Sequence, residues 1–281
     1  MKLSRTSIAA LLVALVAVSG GCTLVNRVRA KNALNEGARA YRDGRFADAE
    51  EKFRTAYDLD PSQKNAPLFI ARAVQQQYKP GVGTPENVAV GERAVQAYQD
   101  ILNRDPGNED AYKAIVFLYG QMKRDDKVNE LLQTRAEKGS TPNARAEALV
   151  ILASKKWQCS YDITERKENQ TKEEKDGKII IHYKKPAEQG DFDKARQCAD
   201  QGMKLAEQAV SLNPNSASAW SYKANLLRER AKLAEMSGDA NAKGDFDKQY
   251  EQALSEQKRL SAEEANRKEA EAAKSPQPPA S

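Results

Sequence analysis

The sequence predicts an all-α chain built as an array of about five helix pairs, and three observations carry that expectation. Aromatic residues make up 6% and charged residues 30% of the 281 residues, with 11 prolines and abundant Ala, Glu, Lys, Gln and Arg, a composition that favours helix over sheet. The stretch from residue 30 to residue 260 is large for one packed core, so two domains or a repeat array is expected. Three similar terminators, DLDPS (Asp58 to Ser62), NRDPGN (Asn103 to Asn108) and SLNPNS (Ser211 to Ser216), each set a proline after Asp or Asn. Proline lacks an N–H and clashes with the preceding turn, so each marks the end of a helix.

The N-terminus reads as an export signal over residues 1–21. Lys2 and Arg5 supply positive charge, Ile8 to Val18 is an apolar run of 11 residues, and small residues fill Ser19 to Gly21. That run is shorter than the ~20 apolar residues a membrane span requires. Cys22 follows directly, and the segment resembles the lipobox of bacterial lipoproteins, although Ser19 stands where that pattern usually has Leu. The resemblance implies cleavage before Cys22 and a lipid on its thiol. An ordinary secretory peptide and an uncleaved anchor are the alternatives. Thr23, rather than Asp, follows the cysteine, and in such lipoproteins this points to the outer membrane, facing the periplasm. Residues 22–29 then form a short tether with a reach of about 28 Å if extended. Arg27 and Arg29 along it, with Lys31 just beyond it, suit anionic headgroups.

The first unit, at about 30–63, contains EGARAYRDGRFADAEEKFRTAYDLDPS (Glu36 to Ser62). Gly37 and Ala49 are small where the two helices of the unit meet closely, Phe53 fills the gap between adjacent repeats, and Pro61 ends the second helix. This stretch resembles a tetratricopeptide repeat. The resemblance implies a right-handed superhelical solenoid and spans roughly residues 30–260. Further units fall at about 66–107, 108–141, 142–215 and 216–260. In the second, Thr84 is placed as an N-cap with Pro85 at the first helical position. In the fifth, Trp220 stands on the first helix, and the second helix begins near Asp245. Residues 261–281 form a polar capping helix and a disordered tail.

The fourth unit carries an insert at 160–189. GKIIIHYKK (Gly177 to Lys185) is β-branched and aromatic, and QCSYDITE (Gln158 to Glu165) alternates polar with apolar. Together they suggest a β-hairpin around a charged, mobile tip, RKENQTKEEKDG. It is either a partner-specific flap or a tolerated surface insertion. Cys159 and Cys198 bracket the insert. In an exported chain whose Cys22 is lipidated they form an even pair, and a Cys159–Cys198 disulfide is expected, with two buried thiols as the alternative.

Catalysis and cofactors find no support in the residues. His182 is the single histidine, which leaves no metal triad and no usual partner for a Ser or Cys nucleophile. GVGTP (Gly81 to Pro85) lacks the Lys-Ser/Thr ending and preceding strand of a phosphate loop. The net charge of +5 falls to +3 without Lys2 and Arg5, too little for nucleic acid. The expectation is therefore a non-enzyme without cofactor or metal, binding a protein or peptide. In tetratricopeptide arrays, the second, fifth, ninth and twelfth positions of each repeat face a concave groove. Carried over, these are Lys31, Leu34, Ala38 and Tyr41 in the first unit, Asp110, Lys113, Phe117 and Gly120 in the third, and Ser218, Ser221, Asn225 and Arg228 in the fifth. The carboxylate-clamp order of Lys, Asn and basic residues is absent, and Tyr41 and Phe117 suit apolar anchors of a peptide. Packing between repeats is the alternative role for Phe117. The expected function is a lipid-anchored adaptor in cell-envelope assembly. A homo-oligomeric structural lipoprotein and capture of a small ligand such as a cell-wall fragment are the alternatives.

Overall fold

A computed structural model describes the backbone of residues 5–274 and the side chains of residues 23–271. The ends of the chain, the side chains of the signal segment and the side chain of Cys22 lie outside the described residues. Among those described there are ten α-helices and one two-stranded sheet. The array is helical throughout, with the hairpin between the seventh and eighth helices, as the sequence predicts. The chain divides into two compact units, residues 1–128 and 129–281.

The first unit contains α1 (Arg5–Arg42), α2 (Phe46–Leu59), α3 (Ala66–Gln77), α4 (Pro85–Arg104) and α5 (Glu109–Gln121), each packed on the next. Residues 22–29 are not an extended tether, because α1 runs through them without a break. With no proline between Arg5 and Arg42 nothing interrupts the helix, and at 1.5 Å per residue those eight positions span about 12 Å. Alanines let α1 and α2 approach: Ala30, Ala40, Ala49 and Ala56 are at most 2% exposed. Gly37 makes the closest approach, since a Cβ there would lie 2.6 Å from the ring of Phe53.

Glu50 ties α2 to its neighbours. Its carboxylate accepts from Arg54 on α2, from Arg93 on α4 at 2.9 Å and from Gln77 on α3 at 2.7 Å. Burial alone would raise this carboxyl, but the donated bonds outweigh it and hold the group below its ordinary 4.5. A depressed carboxyl stabilises the fold above the unfolded value and loses that contribution as pH falls through the folded one. Melting temperature should therefore drop in the parent below about pH 4.5. Glu50→Gln should melt lower at neutral pH and lose less over that acid range, a difference that a paired pH series of thermal melts reads directly.

The helix ends repeat one device. At the three proline terminators, α2, α4 and α8 (Gln189–Leu212) stop at Asp60, Asp105 and Asn213. Each side chain accepts from the backbone N–H two residues on, at 3.1, 3.2 and 3.1 Å. The acid or amide thus turns the chain as the proline stops the helix. Asn108 and Ser216 cap the helices that follow the second and third terminators, Thr141 caps the helix that begins at Pro142, and Thr84 caps α4 by accepting from Asn87 N–H, with Pro85 next.

In the second unit, α7 (Pro142–Thr164) packs on α8 and both pack on α9 (Ala217–Met236), which packs on α10 (Ala240–Lys274). The α6 helix (Asp125–Lys138) spans the boundary between the units. Two clusters form the core. One gathers Ala153, Met203, Leu226 and Leu227 with Trp157 and Trp220 at its margin; the other gathers Ile163, Phe192, Leu233 and Met236 with Tyr183. The hairpin differs from the sequence expectation. Gln158 to Thr164 remain helical in α7, and β1 is Gln170–Lys175, inside the segment expected to be a mobile tip. It pairs antiparallel with β2 (Lys178–Tyr183) across Asp176-Gly177. Both turn residues have positive φ, 52° and 69°, the conformation of a two-residue hairpin turn. The α7 extension persists because its inner face is buried: Ser160 and Thr164 are wholly covered. The α10 helix also starts at Ala240, ahead of the expected Asp245.

Candidate functional site

The first unit holds an open recess of about 260 Å³ lined by Ala38, Tyr41 and Arg42 of α1, Phe53 of α2, and Phe69 and Arg72 of α3. Its floor is aromatic. Phe53 and Phe69 have ring centroids 5.4 Å apart, and Tyr41 meets Phe46 edge to face at 5.3 Å. The rim is cationic: Arg42 is exposed, and Arg72 donates to Asp110 at 2.9 Å. Behind this wall, Tyr98 donates to Gln75 at 2.6 Å, and burial raises its phenol, so it stays a neutral donor.

Of the groove positions expected in this unit, Ala38 and Tyr41 line the recess, and Asp110 joins it through Arg72. Lys31 and Lys113 are exposed and Leu34 is half-buried. Phe117 has 49% of its surface exposed, so packing does not account for it fully. Arg42, Phe69 and Arg72 were not among the expected positions. The long α3–α4 connection obscures the register of the second repeat, at about 66–107; the available signal was Phe69 and Arg72, three apart on one helix face.

In the second unit, Ser221 and Asn225 are half-buried and Arg228 is exposed. The Arg228 guanidinium lies 5.4 Å from the Tyr250 ring centroid and borders a cleft between β2, α9 and α10. Cys159 and Cys198 form a disulfide between α7 and α8, with Cα atoms 6.0 Å apart. Beneath the hairpin, Glu229 is 1% exposed and accepts from Lys232 Nζ at 2.5 Å, Thr164 at 2.7 Å and Ser160 at 3.2 Å. Lys232 also donates to Glu165, which accepts from the Tyr183 hydroxyl. Burial pushes the Glu165 carboxyl up, but the Lys232, Tyr183 and Gln170 bonds outweigh it and hold it low. The strand is clipped to α9 through His182, whose ring nitrogens face Glu173 at 2.9 Å and Glu235 at 3.3 Å. Hydrogen bonding to Glu173 is the largest cause of its raised basicity.

No protein-family model matches the sequence, and no curated protein matches it. Among solved structures the chain is similar to that titled as the functional characterization of Pseudomonas aeruginosa PilF, at 14% identity and TM-score 0.34, over 85% of this chain and 99% of that one. It is also similar to a MamA protein, at 12% identity and TM-score 0.33, over 83% and 94% of the two chains. A MamA from Desulfovibrio magneticus RS-1, residue 41 to the end, gives 12% identity and TM-score 0.33, over 80% and 95%. These likenesses are too distant to carry an argument about function.

Proposed function

We propose that this chain is a non-catalytic adaptor, held at the outer membrane by lipid on Cys22 and facing the periplasm, that grips a protein or peptide partner in the groove of its A helices. The observation that carries the reading is the recess of Tyr41, Phe53 and Phe69 under Arg42 and Arg72. An apolar floor with guanidinium groups at the rim suits an inserted apolar or aromatic anchor flanked by a carboxylate. Phe117 supports it, because a phenylalanine left half in water is surface that a partner would bury. Support for the membrane side comes from Leu24, Val25 and Val28, which are 64%, 56% and 63% exposed beside Arg27 and Arg29. Apolar side chains interleaved with cations suit the headgroup boundary of a bilayer. One experiment tests both halves. The parent, labelled with radioactive palmitate and affinity-purified from native envelopes, should carry label and a co-purifying protein. Cys22→Ala should lose the label, and Tyr41→Ser should keep the label and lose the protein. Retention of the same protein by Tyr41→Ser contradicts the groove, and an unlabelled parent contradicts the anchor.

A further inference from the structure

Ile179, Ile180 and Ile181 stand consecutively in β2 with 68%, 38% and 41% of their surface exposed. The ladder shows which of their backbone groups are in use. Lys184 N–H donates to Asn169 at 2.9 Å, and the register continues through Thr171 opposite His182 and Glu173 opposite Ile180. In an antiparallel pair, hydrogen-bonded and non-bonded positions alternate, so the N–H and C=O groups of Ile179, Ile181 and Tyr183 point away from β1. The Tyr183 N–H is taken by Glu235 at 3.1 Å. Those of Ile179 and Ile181 have no partner among the described residues. The two edges of the hairpin differ in kind. Exposed Lys172 and Glu174 guard the β1 edge with charge, whereas the β2 edge presents isoleucine.

We propose that the outer edge of β2 is a homodimer surface, at which β2 pairs antiparallel with β2 of a second copy of this chain, Ile179 opposite Ile181 and Ile180 opposite Ile180. Only an extended backbone supplies alternating donors and acceptors at the spacing this edge presents, and the edge is complementary to itself. This register uses only the free groups: Ile179 and Ile181 exchange N–H···O=C bonds in both directions. A register centred on Ile181 would set Ile179 against Tyr183, whose N–H already serves Glu235. The side chains agree. Ile179 and Ile181 of both copies would form one apolar strip on one face, bordered at its two sides by Glu174 and Lys172, which lie opposite Ile179 and Ile181 in each hairpin. The two Ile180 side chains would meet on the other face. A four-stranded sheet would replace the two-stranded one. The edge opens onto a cleft of about 450 Å³ lined by Ile180, Ile181, Arg228, Ala231 and Tyr250. This surface is separate from the recess at Tyr41 and stands or falls independently of the adaptor reading.

The test is sedimentation equilibrium of the full chain in density-matched detergent. The protein mass should rise with concentration from one copy to two. Ile181→Pro removes an edge donor without touching the β1–β2 ladder and should hold the mass at one copy. Ile179→Lys should do the same by charge, and serves as the second variant if proline disturbs the hairpin. Ile180→Cys should form a reductant-sensitive dimer on mild oxidation, because directly opposed non-bonded strand positions lie within disulfide reach. Thr171→Cys, on β1, should form no more dimer than the parent. A parent that stays at one copy throughout, a dimer that both edge variants leave intact, or a parent dimer that Ile180→Cys does not trap would each overturn the proposal.

Discussion

Lys232→Met should cost the second unit about 3–5 kcal/mol, the largest loss expected from a single substitution in this chain. Glu229 is 1% exposed and sits inside the α7–α9 contact, where its carboxylate accepts from Lys232, Thr164 and Ser160. Methionine matches the lysine stem in volume but leaves that carboxylate buried with only two hydroxyl donors. Lys232 also reaches Glu165 and lies 5.1 Å from the ring centroids of both Tyr161 and Tyr183, so the hairpin base loosens with it. The double variant Glu229→Leu, Lys232→Met should recover much of the loss, because replacing both members of a buried pair removes the desolvation cost together with the attraction. Recovery should stop short of complete, since Ser160 then lacks its acceptor. Both tryptophans of the chain, Trp157 and Trp220, belong to this unit. Urea unfolding followed by tryptophan fluorescence therefore reports it selectively. A single variant as stable as the parent would show that the pair contributes nothing.

Opening the Cys159–Cys198 bond should cost the same unit up to about 4 kcal/mol, because the bond closes a loop of 39 residues in the unfolded chain. The loop contains the whole hairpin, and the bond ties α7 to α8 where the insert leaves and rejoins the helical frame. Cys159→Ser with Cys198→Ser should shift the fluorescence transition to lower urea by a similar energy, and reductant should then have no further effect. A transition that reductant moves in the parent and in the double serine variant alike would mean that the bond is not the cause.

The frame of the fold was legible because its punctuation is local. Asp60-Pro61, Asp105-Pro106 and Asn213-Pro214 each join a helix stop to a side chain that turns the chain, and both functions are visible in two letters. The small residue at Gly37 was legible as a close helix contact, but its partner was not: the ring it meets is Phe53, which the sequence assigned to the gap between adjacent repeats. The hairpin was only half legible. KIIIHY announces a strand, but its partner QTKEEK has little intrinsic strand preference and is held by pairing with the isoleucine strand. The Asp176-Gly177 turn was the better signal for where the hairpin folds. Sequence reading placed the first strand in Gln158 to Glu165 because that segment alternates polar with apolar residues. In the structure it is helical, and its polar Ser160 and Thr164 are buried alongside Ile163, bonded to Glu229. Glu229 and Lys232, three apart in a helix, carry no local sign of burial, and only tertiary packing makes them a buried pair. At the candidate site Tyr41 was legible from its repeat position, whereas Phe69 and Arg72 depend on how α3 is rotated against α2, which the long connection to α4 hides.

The most direct test of the adaptor account is site-specific photo-crosslinking in the native envelope, with a reactive side chain placed in turn at Tyr41, at Phe117 and at exposed Glu51 on α2. The account predicts one discrete protein adduct shared by Tyr41 and Phe117 and absent from Glu51, with mass spectrometry of the band identifying the partner. Adducts of equal yield at all three positions, or none at Tyr41 and Phe117, would contradict a binding groove on the A helices.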